Sequence, residues 1–239
     1  MIGLAGLTAS VIGFGAAVLG CVYAIRAARG GPLAPAVALV RVAFGALLAA
    51  GLAMEAALVT HDFSVAYVAQ VGSRETPLLY TVASLWGALA GSVLFWAILL
   101  AGVTALLTWR TSPADRPFLP VSLAVLAGLV AFFAFIVVGP GSPWGRVDPV
   151  PADGPGPNPL LQSHPLVAIH PPLLYLGFVG LAVPFALTVA ALWAGRLDAA
   201  WLRTVRRWTL GPWIALSLAL VAGAWWSYAV LGWGGYWAW

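Results

Sequence analysis

Six long apolar runs decide what this chain can fold into. A helix that crosses a membrane needs about 20 mainly apolar residues, and the runs at residues 2–25, 33–58, 79–109, 118–138, 172–194 and 208–231 reach that length. Only 8% of the 239 residues are charged, whereas soluble domains carry about 25%. A soluble domain and a disordered chain are therefore excluded. The runs are too continuous for alternating barrel strands, so we predict an all-α polytopic membrane bundle.

The arginines predict how the bundle is oriented. Arg74 and Arg146 lie in the second and fourth loops, at about residues 59–78 and 139–171. By the positive-inside rule these loops and both termini face outward from the cytoplasmic membrane. The scattered charges form no basic stripe for nucleic acid. The other nine arginines lie at the first, third and fifth loops: Arg26, Arg29, Arg41, Arg110, Arg116, Arg196, Arg203, Arg206 and Arg207.

One transmembrane domain is expected over residues 1–239. The loop at 139–171 is rich in proline and glycine and cannot be regular helix, and loops of that length are often functional. The chain stops at Trp239 inside an aromatic cluster, so we expect a fragment or split subunit of a longer protein. The single cysteine, Cys21, excludes an internal disulfide.

His170 is the strongest candidate for a metal ligand. It precedes Pro171 and Pro172, which suit the first turn of a helix, so we predict that His170 lies beside an N-cap at the outer surface. A neutral imidazole there can bind a haem iron. The alternative is an interfacial histidine that makes one hydrogen bond.

The last fifteen residues form a second anomaly. The chain has thirteen tryptophans, and an interfacial aromatic belt needs only a few of them. Glycines let a backbone approach a flat ligand, and indoles offer a wide apolar surface with a polar N–H. We predict a platform for a large flat amphipathic ring such as haem, made of Trp225, Trp226, Trp233, Gly234, Gly235, Tyr236, Trp237 and Trp239.

Three further residues are weaker candidates for a functional role. His164 is expected to be a solvated loop residue, and His61 to bond with the neighbouring Asp62. Glu55 is the one acid within a predicted span; such acids are functional candidates, although its place near the outer end suits a solvated carboxylate.

These same residues carry a family resemblance. The segment PNPLLQSHPLVAIHPPLLYLGFVG, the upstream DFSVAYVA and the terminal WGGYWAW resemble the cytochrome c maturation proteins CcmF, NrfE and CycK. The likeness runs from about Asp62 to Trp239. WGGYWAW looks like the start of the tryptophan-rich "WWD" segment of haem-handling proteins.

The resemblance implies an outward haem lyase component. It implies that haem arrives on a CcmE-like chaperone, that a CcmH-like subunit takes part, and that haem is joined to apocytochrome c by thioethers. It implies that His170 is one axial ligand of this transient b-type haem and that the tryptophans face the ring. Arg74 or Arg146 could meet the propionates. Because we expect a fragment or split subunit, we also expect that the chain alone can be inactive.

Departures from the family leave alternatives open. The second outward histidine and the ligands of the family's structural haem b have no counterpart here, so that haem site is not expected in this chain. Leu89 and Ala90 replace a polar pair that many relatives carry. A haem exporter that loads the chaperone, like CcmC, is one alternative function. A structural membrane subunit or transporter without haem is another.

Overall fold

The computed structural model describes residues 1–113 and 115–233, and confirms an all-α membrane bundle. Six helical stretches in this part of the chain are long and apolar enough to cross a membrane. The helices are α1 (Ile2–Ala28), α2 (Ala34–Val59), α3 (Ala66–Val71), α4 (Leu78–Ala83), α5 (Leu89–Arg110), α6 (Leu119–Val138), α7 (Leu166–Gly180), α8 (Ala182–Trp193) and α9 (Ala199–Val230).

Two of the predicted spans are interrupted. The third run divides into α4, a 3₁₀ turn at Ser84–Trp86 and α5, because Ala88 is fully extended. The fifth run begins earlier than residue 172 and divides into α7 and α8. Pro184 lacks the N–H that would bond Gly180 in a continuous helix, which accounts for the break between them.

Small residues bring α1 close to its neighbours. Helices α1, α2, α5 and α6 form the core, α8 packs on α6, and α7 pairs with α9 beside α5. Lipid tails are as apolar as side chains, so close van der Waals packing has to hold membrane helices together. The buried stripe of α1 repeats at intervals of three and four residues: Gly6, Ser10, Gly13, Ala17, Gly20 and Ala24.

The second and fourth loops pack on each other at one end of the bundle. Ala66 donates its backbone N–H to the Gly145 carbonyl at 2.7 Å. Trp144 donates its indole N–H to the Ser10 hydroxyl at 3.0 Å, which joins the fourth loop to the start of α1. The end of α9 lies at this same end of the bundle, because the rings of Trp225 and His164 are 6.2 Å apart.

A buried carboxylate organises the opposite, arginine-rich end. Asp115 is only 5% exposed, yet it accepts hydrogen bonds from Thr204, from Ser112 (2.7 Å) and from the Arg207 guanidinium (2.9 Å). Burial raises the pKa of this carboxyl, but the three donors outweigh burial and the pKa is lowered. Asp115 therefore fixes the loop before α6 to the first turns of α9.

Asp115→Asn is expected to lower the free energy of unfolding at pH 7 by about 2 kcal/mol, the usual contribution of hydrogen bonds to a charged group. Because the pKa is lower in the folded chain, the stabilisation is complete above the unfolded value of about 3.9. It is lost as the pH falls through the folded value. Melting curves of both proteins in detergent at pH 7 and at acidic pH would measure this.

Asp198→Asn is the matched control for that experiment. Asp198 pairs with Arg196 in solvent and caps α9 through the Trp201 N–H. Asparagine caps as well as aspartate, and exposed ion pairs contribute little, so its melting temperature should stay nearly unchanged. Equal stability of Asp115→Asn and wild type at pH 7 would contradict the role of Asp115.

Candidate functional site

His170 lies in the second turn of α7. The prediction that it sits beside the N-cap is wrong, because α7 starts at Leu166 and contains both Pro171 and Pro172. The early start has a local cause: the ring of His164 accepts the backbone N–H of Leu166 at 3.2 Å, which satisfies one of the free donors of the first turn.

One hydrogen bond sets the protonation pattern of the His170 ring. Its Nδ1 is 2.9 Å from the carbonyl oxygen of Ala219 in α9. A carbonyl can only accept, so the neutral ring carries its proton on Nδ1. Nε2 makes no hydrogen bond with another described residue and keeps its lone pair. A histidine that binds a metal commonly has this arrangement, with the second nitrogen held by a carbonyl.

A glycine of α9 makes room for this ring. A Cβ placed on Gly223 would lie 2.7 Å from Cε1 of His170, closer than packed atoms tolerate, so a glycine lets the imidazole lie directly against the α9 backbone. Helices α7 and α9 run antiparallel, with Gly177 beside Leu216 and Gly180 beside Pro212. Such small-residue seams allow close helix packing in membranes.

His164 has the opposite proton arrangement. Its Nδ1 accepts the Leu166 N–H, so in the neutral ring the proton lies on Nε2. Of these two histidines, His170 therefore is the one that presents an imidazole lone pair beside α9. His164 is partly buried next to Trp225, so the expectation of a freely solvated residue is wrong.

The described part of the tryptophan-rich segment extends α9 beyond His170. Trp225 and Trp226 lie in its last two turns. Trp225 is 62% exposed, while the indole Nε1 of Trp226 is buried and has no hydrogen-bond partner among the described residues. Trp233 follows the helix end and is exposed. The other predicted platform residues lie outside the described part: Gly234, Gly235, Tyr236, Trp237 and Trp239.

In the described structure neither predicted arginine forms a hydrogen bond or a ring contact with His170 or with the platform residues Trp225, Trp226 and Trp233. Arg74 donates from Nε to the Ala152 carbonyl at 3.2 Å and lies over the Phe63 ring. Hydrogen bonds from the backbone N–H groups of Arg74 and Gly154 lower the pKa of Asp153. This arginine therefore joins the second loop to the fourth.

Arg146 is exposed on another part of the same end. It lines a cleft of about 310 Å³ with Leu4 and Leu7 of α1 and with Val65 and Trp144. Helix α1 packs mainly on α2 and α6, so this cleft is formed by elements other than the α7–α9 pair.

The remaining candidates occupy separate positions. Asp62 accepts from the hydroxyl of Ser64 at 2.5 Å rather than from His61, so the predicted His61–Asp62 bond is wrong. One carboxylate oxygen of Glu55 is buried without a partner among the described residues, which corrects the solvated interpretation. Cys21 donates from its thiol to the Ala124 carbonyl. Within the described ranges, no three metal-binding side chains converge.

Gly223→Ala is expected to push the His170 ring away from Ala219 and to mix its two tautomers, because the added Cβ overlaps the ring edge. Nitrogen-15 NMR of labelled histidine would show Nδ1 and Nε2 shifts moving towards each other. Gly211→Ala in the same helix is the control, since nothing lies within 4 Å of its Cβ position. Unchanged His170 shifts in Gly223→Ala would contradict the assigned contact.

Comparison with known proteins identifies close relatives. A family model described as "Cytochrome C assembly protein" matches residues 86–239. The cytochrome c-type biogenesis protein CcmF of Pseudomonas fluorescens is 42% identical over 197 residues, which cover 82% of this chain and 30% of that protein. The probable cytochrome c-type biogenesis protein NrfE of Escherichia coli K12 is 40% identical over 193 residues, with coverages of 81% and 35%.

The fold has a solved counterpart as well. A structure named "Cytochrome c Heme Lyase CcmF" superposes with a TM-score of 0.87 at 41% identity and covers 99% of this chain. That match covers 38% of the solved chain. The present chain thus spans about a third of the length of the relatives it matches.

Proposed function

Since this chain belongs to the family of cytochrome c assembly proteins, we propose that it handles haem as a component of a haem lyase. In this role it holds haem at the outer face of the cytoplasmic membrane, where the haem is attached to apocytochrome c. Haem is the transient substrate. A CcmE-like chaperone delivers it, and a CcmH-like subunit and the apocytochrome are the further partners.

The proposal is based mainly on the hydrogen bond and the tautomer of the His170 ring. Its Nδ1 is held by Ala219, and its Nε2 keeps a lone pair. A neutral imidazole nitrogen of this kind is a common axial ligand of haem iron. The bond to Ala219 orients the ring before haem arrives, so little side-chain freedom is lost on binding.

The end of α9 supports haem as the substrate. Trp225 and Trp226 follow Gly223 by a turn or less, and they place two indoles within one turn beyond the His170 contact. Indole rings provide a flat apolar surface for a macrocycle. Among the described residues the buried N–H of Trp226 has no hydrogen-bond partner. It suits a polar edge of the ligand, since buried donors normally have partners.

The charge pattern supports the outward placement. Met1, the second and fourth loops and the end of α9 lie at one end of the bundle. Nine arginines lie at the other end, in the three connections or in the helix turns next to them. Cytoplasmic loops carry the excess of basic residues. His170 therefore lies towards the periplasmic or external side in this proposal.

The chain's own residues bind and orient the substrate. His170 holds the iron, the α9 indoles pack against the ring, and both keep one edge of the macrocycle available to the partner protein. The bond-forming chemistry belongs to the haem vinyl groups and the cysteine thiols of the apocytochrome, whose S–H adds across each vinyl to give a thioether. A propionate contact for Arg74 or Arg146 stays a prediction.

His170→Ala is expected to weaken haem binding by tenfold or more and to remove the absorption bands of histidine-ligated haem, because the iron loses its ligand. Titration of the purified chain with haem, followed by absorption spectroscopy, would measure both effects. His61→Asn is the matched control. His61 lies beside Phe63 in the second loop, and asparagine tolerates its φ of 54°, so the ligand bands should stay in place.

Identical spectra and affinities of wild type and His170→Ala would overturn the ligand role. If wild type itself bound no haem, the same titration with a full-length relative and its His170 counterpart variant would decide the matter. An unchanged spectrum there would refute the proposal for the family site.

A further inference from the structure

Trp86 replaces one of the backbone hydrogen bonds that the His170 turn lacks. In a regular helix the N–H of residue 171 donates to the carbonyl of residue 167. Position 171 is a proline and has no N–H. The indole Nε1 of Trp86 donates to the Val167 carbonyl instead, at 3.1 Å. A side chain 81 residues away in sequence thus replaces the missing helical donor.

The replacement is important because α7 has fewer backbone hydrogen bonds around Pro171 and Pro172 than a regular helix. Pro171 and Pro172 are consecutive and both lie inside α7, so two successive backbone donors are absent. The turn that carries His170 is therefore joined to the rest of α7 by fewer hydrogen bonds than usual. Contacts from neighbouring helices have to fix its position.

Two such contacts lie on the turn. Trp86 donates to Val167 from the α5 side, and His170 donates to Ala219 on the α9 side. They clamp the turn between two neighbours. Loss of the first contact would let the turn move and would weaken the second.

Trp86 is itself held in place. Its backbone carbonyl accepts the Ser92 hydroxyl at 2.9 Å, and its ring lies 5.4 Å from Phe95, which in turn meets Tyr175 of α7 edge-on at 5.8 Å. These contacts fix the position of the Trp86 side chain just before α5, from where its indole donates to Val167.

We infer that Trp86 is a positioning residue for His170: its indole N–H replaces the backbone donor lost at Pro171 and thereby holds the imidazole in its ligand geometry. The expected effect of Trp86 on haem affinity rests on the proposed haem function. The effect of Trp86 on the tautomer of His170 can be measured without haem.

The experiment compares Trp86→Phe with Trp96→Phe in the full chain. Phenylalanine keeps an aromatic ring beside Phe95 and removes the N–H donor together with part of the indole volume, and Trp96→Phe loses the same volume. Trp96 belongs to the same aromatic cluster and stacks on Phe133 at 5.1 Å, but its indole makes no hydrogen bond with another described residue. If Trp86→Phe has a much lower melting temperature than Trp96→Phe, benzothienylalanine is used at position 86 instead of phenylalanine, because it keeps the shape of the indole without the N–H.

Trp86→Phe is expected to bind haem about five- to tenfold more weakly, the range that one lost hydrogen bond produces. Without haem, the nitrogen-15 shifts of His170 should move towards a tautomer mixture. Pro171→Ala in the Trp86→Phe chain should restore both, because an alanine at this position supplies the missing backbone N–H to the Val167 carbonyl. In a His170→Ala background, Trp86→Phe should change haem affinity no further.

Three results would overturn the inference. The first is that the nitrogen-15 shifts of His170 are the same in Trp86→Phe and in Trp96→Phe. The second is that Pro171→Ala in the Trp86→Phe chain does not restore haem affinity. The third is that Trp86→Phe weakens haem binding as strongly in a His170→Ala background as in wild type. Failure of the proposed function looks different: wild type and His170→Ala would then bind haem alike, while the tautomer change in Trp86→Phe would persist.

Discussion

The bond from His170 Nδ1 to the Ala219 carbonyl is the interaction on which the site depends. It joins α7 to α9, it selects one tautomer, and it leaves Nε2 with a lone pair. The other features of the region follow from it. Gly223 has to lack a side chain so that the ring can approach α9. The prolines and Trp86 determine how rigidly the turn that carries His170 is held.

The rest of the bundle gives that bond a rigid surrounding. Backbone polar groups within a membrane have to be satisfied internally, and neighbouring helices and side chains can replace the donors that prolines remove. Trp86 does this for Val167. At the opposite end, Asp115 joins the start of α9 to the α5–α6 connection. Helix α9 is thus held near its beginning and again along α7.

Much of the fold could be predicted from sequence because lipid imposes a simple rule. Long apolar runs become spanning helices, and arginines separate the two ends of the bundle. The position of α7 could not be predicted, because Pro165 and not Ser, Thr, Asp or Asn occupies its N-cap. The His164 ring accepts the Leu166 N–H instead. The His61–Asp62 hydrogen bond was wrongly predicted, because Asp62 accepts from the Ser64 hydroxyl instead.

The candidate site was predictable only in part. His170 and the tryptophans are conspicuous in the sequence, whereas Ala219, Gly223 and Trp86 act through contacts between helices that are far apart along the chain. A weak signal existed for the seam: Gly177 and Gly180 in α7 and Ala219 and Gly223 in α9 recur at helical spacing. Nothing local connects Trp86 with Pro171, because a proline's missing donor is visible in sequence but its replacement is not.

The most direct test of the central claim is a structure of the chain, or of a full-length relative, determined with haem bound. The account predicts that the iron is bound by Nε2 of His170, that Nδ1 still donates to Ala219, and that the macrocycle lies against the end of α9. Iron bound by His164, or a haem bound away from the α7–α9 pair with His170 unligated, would contradict it.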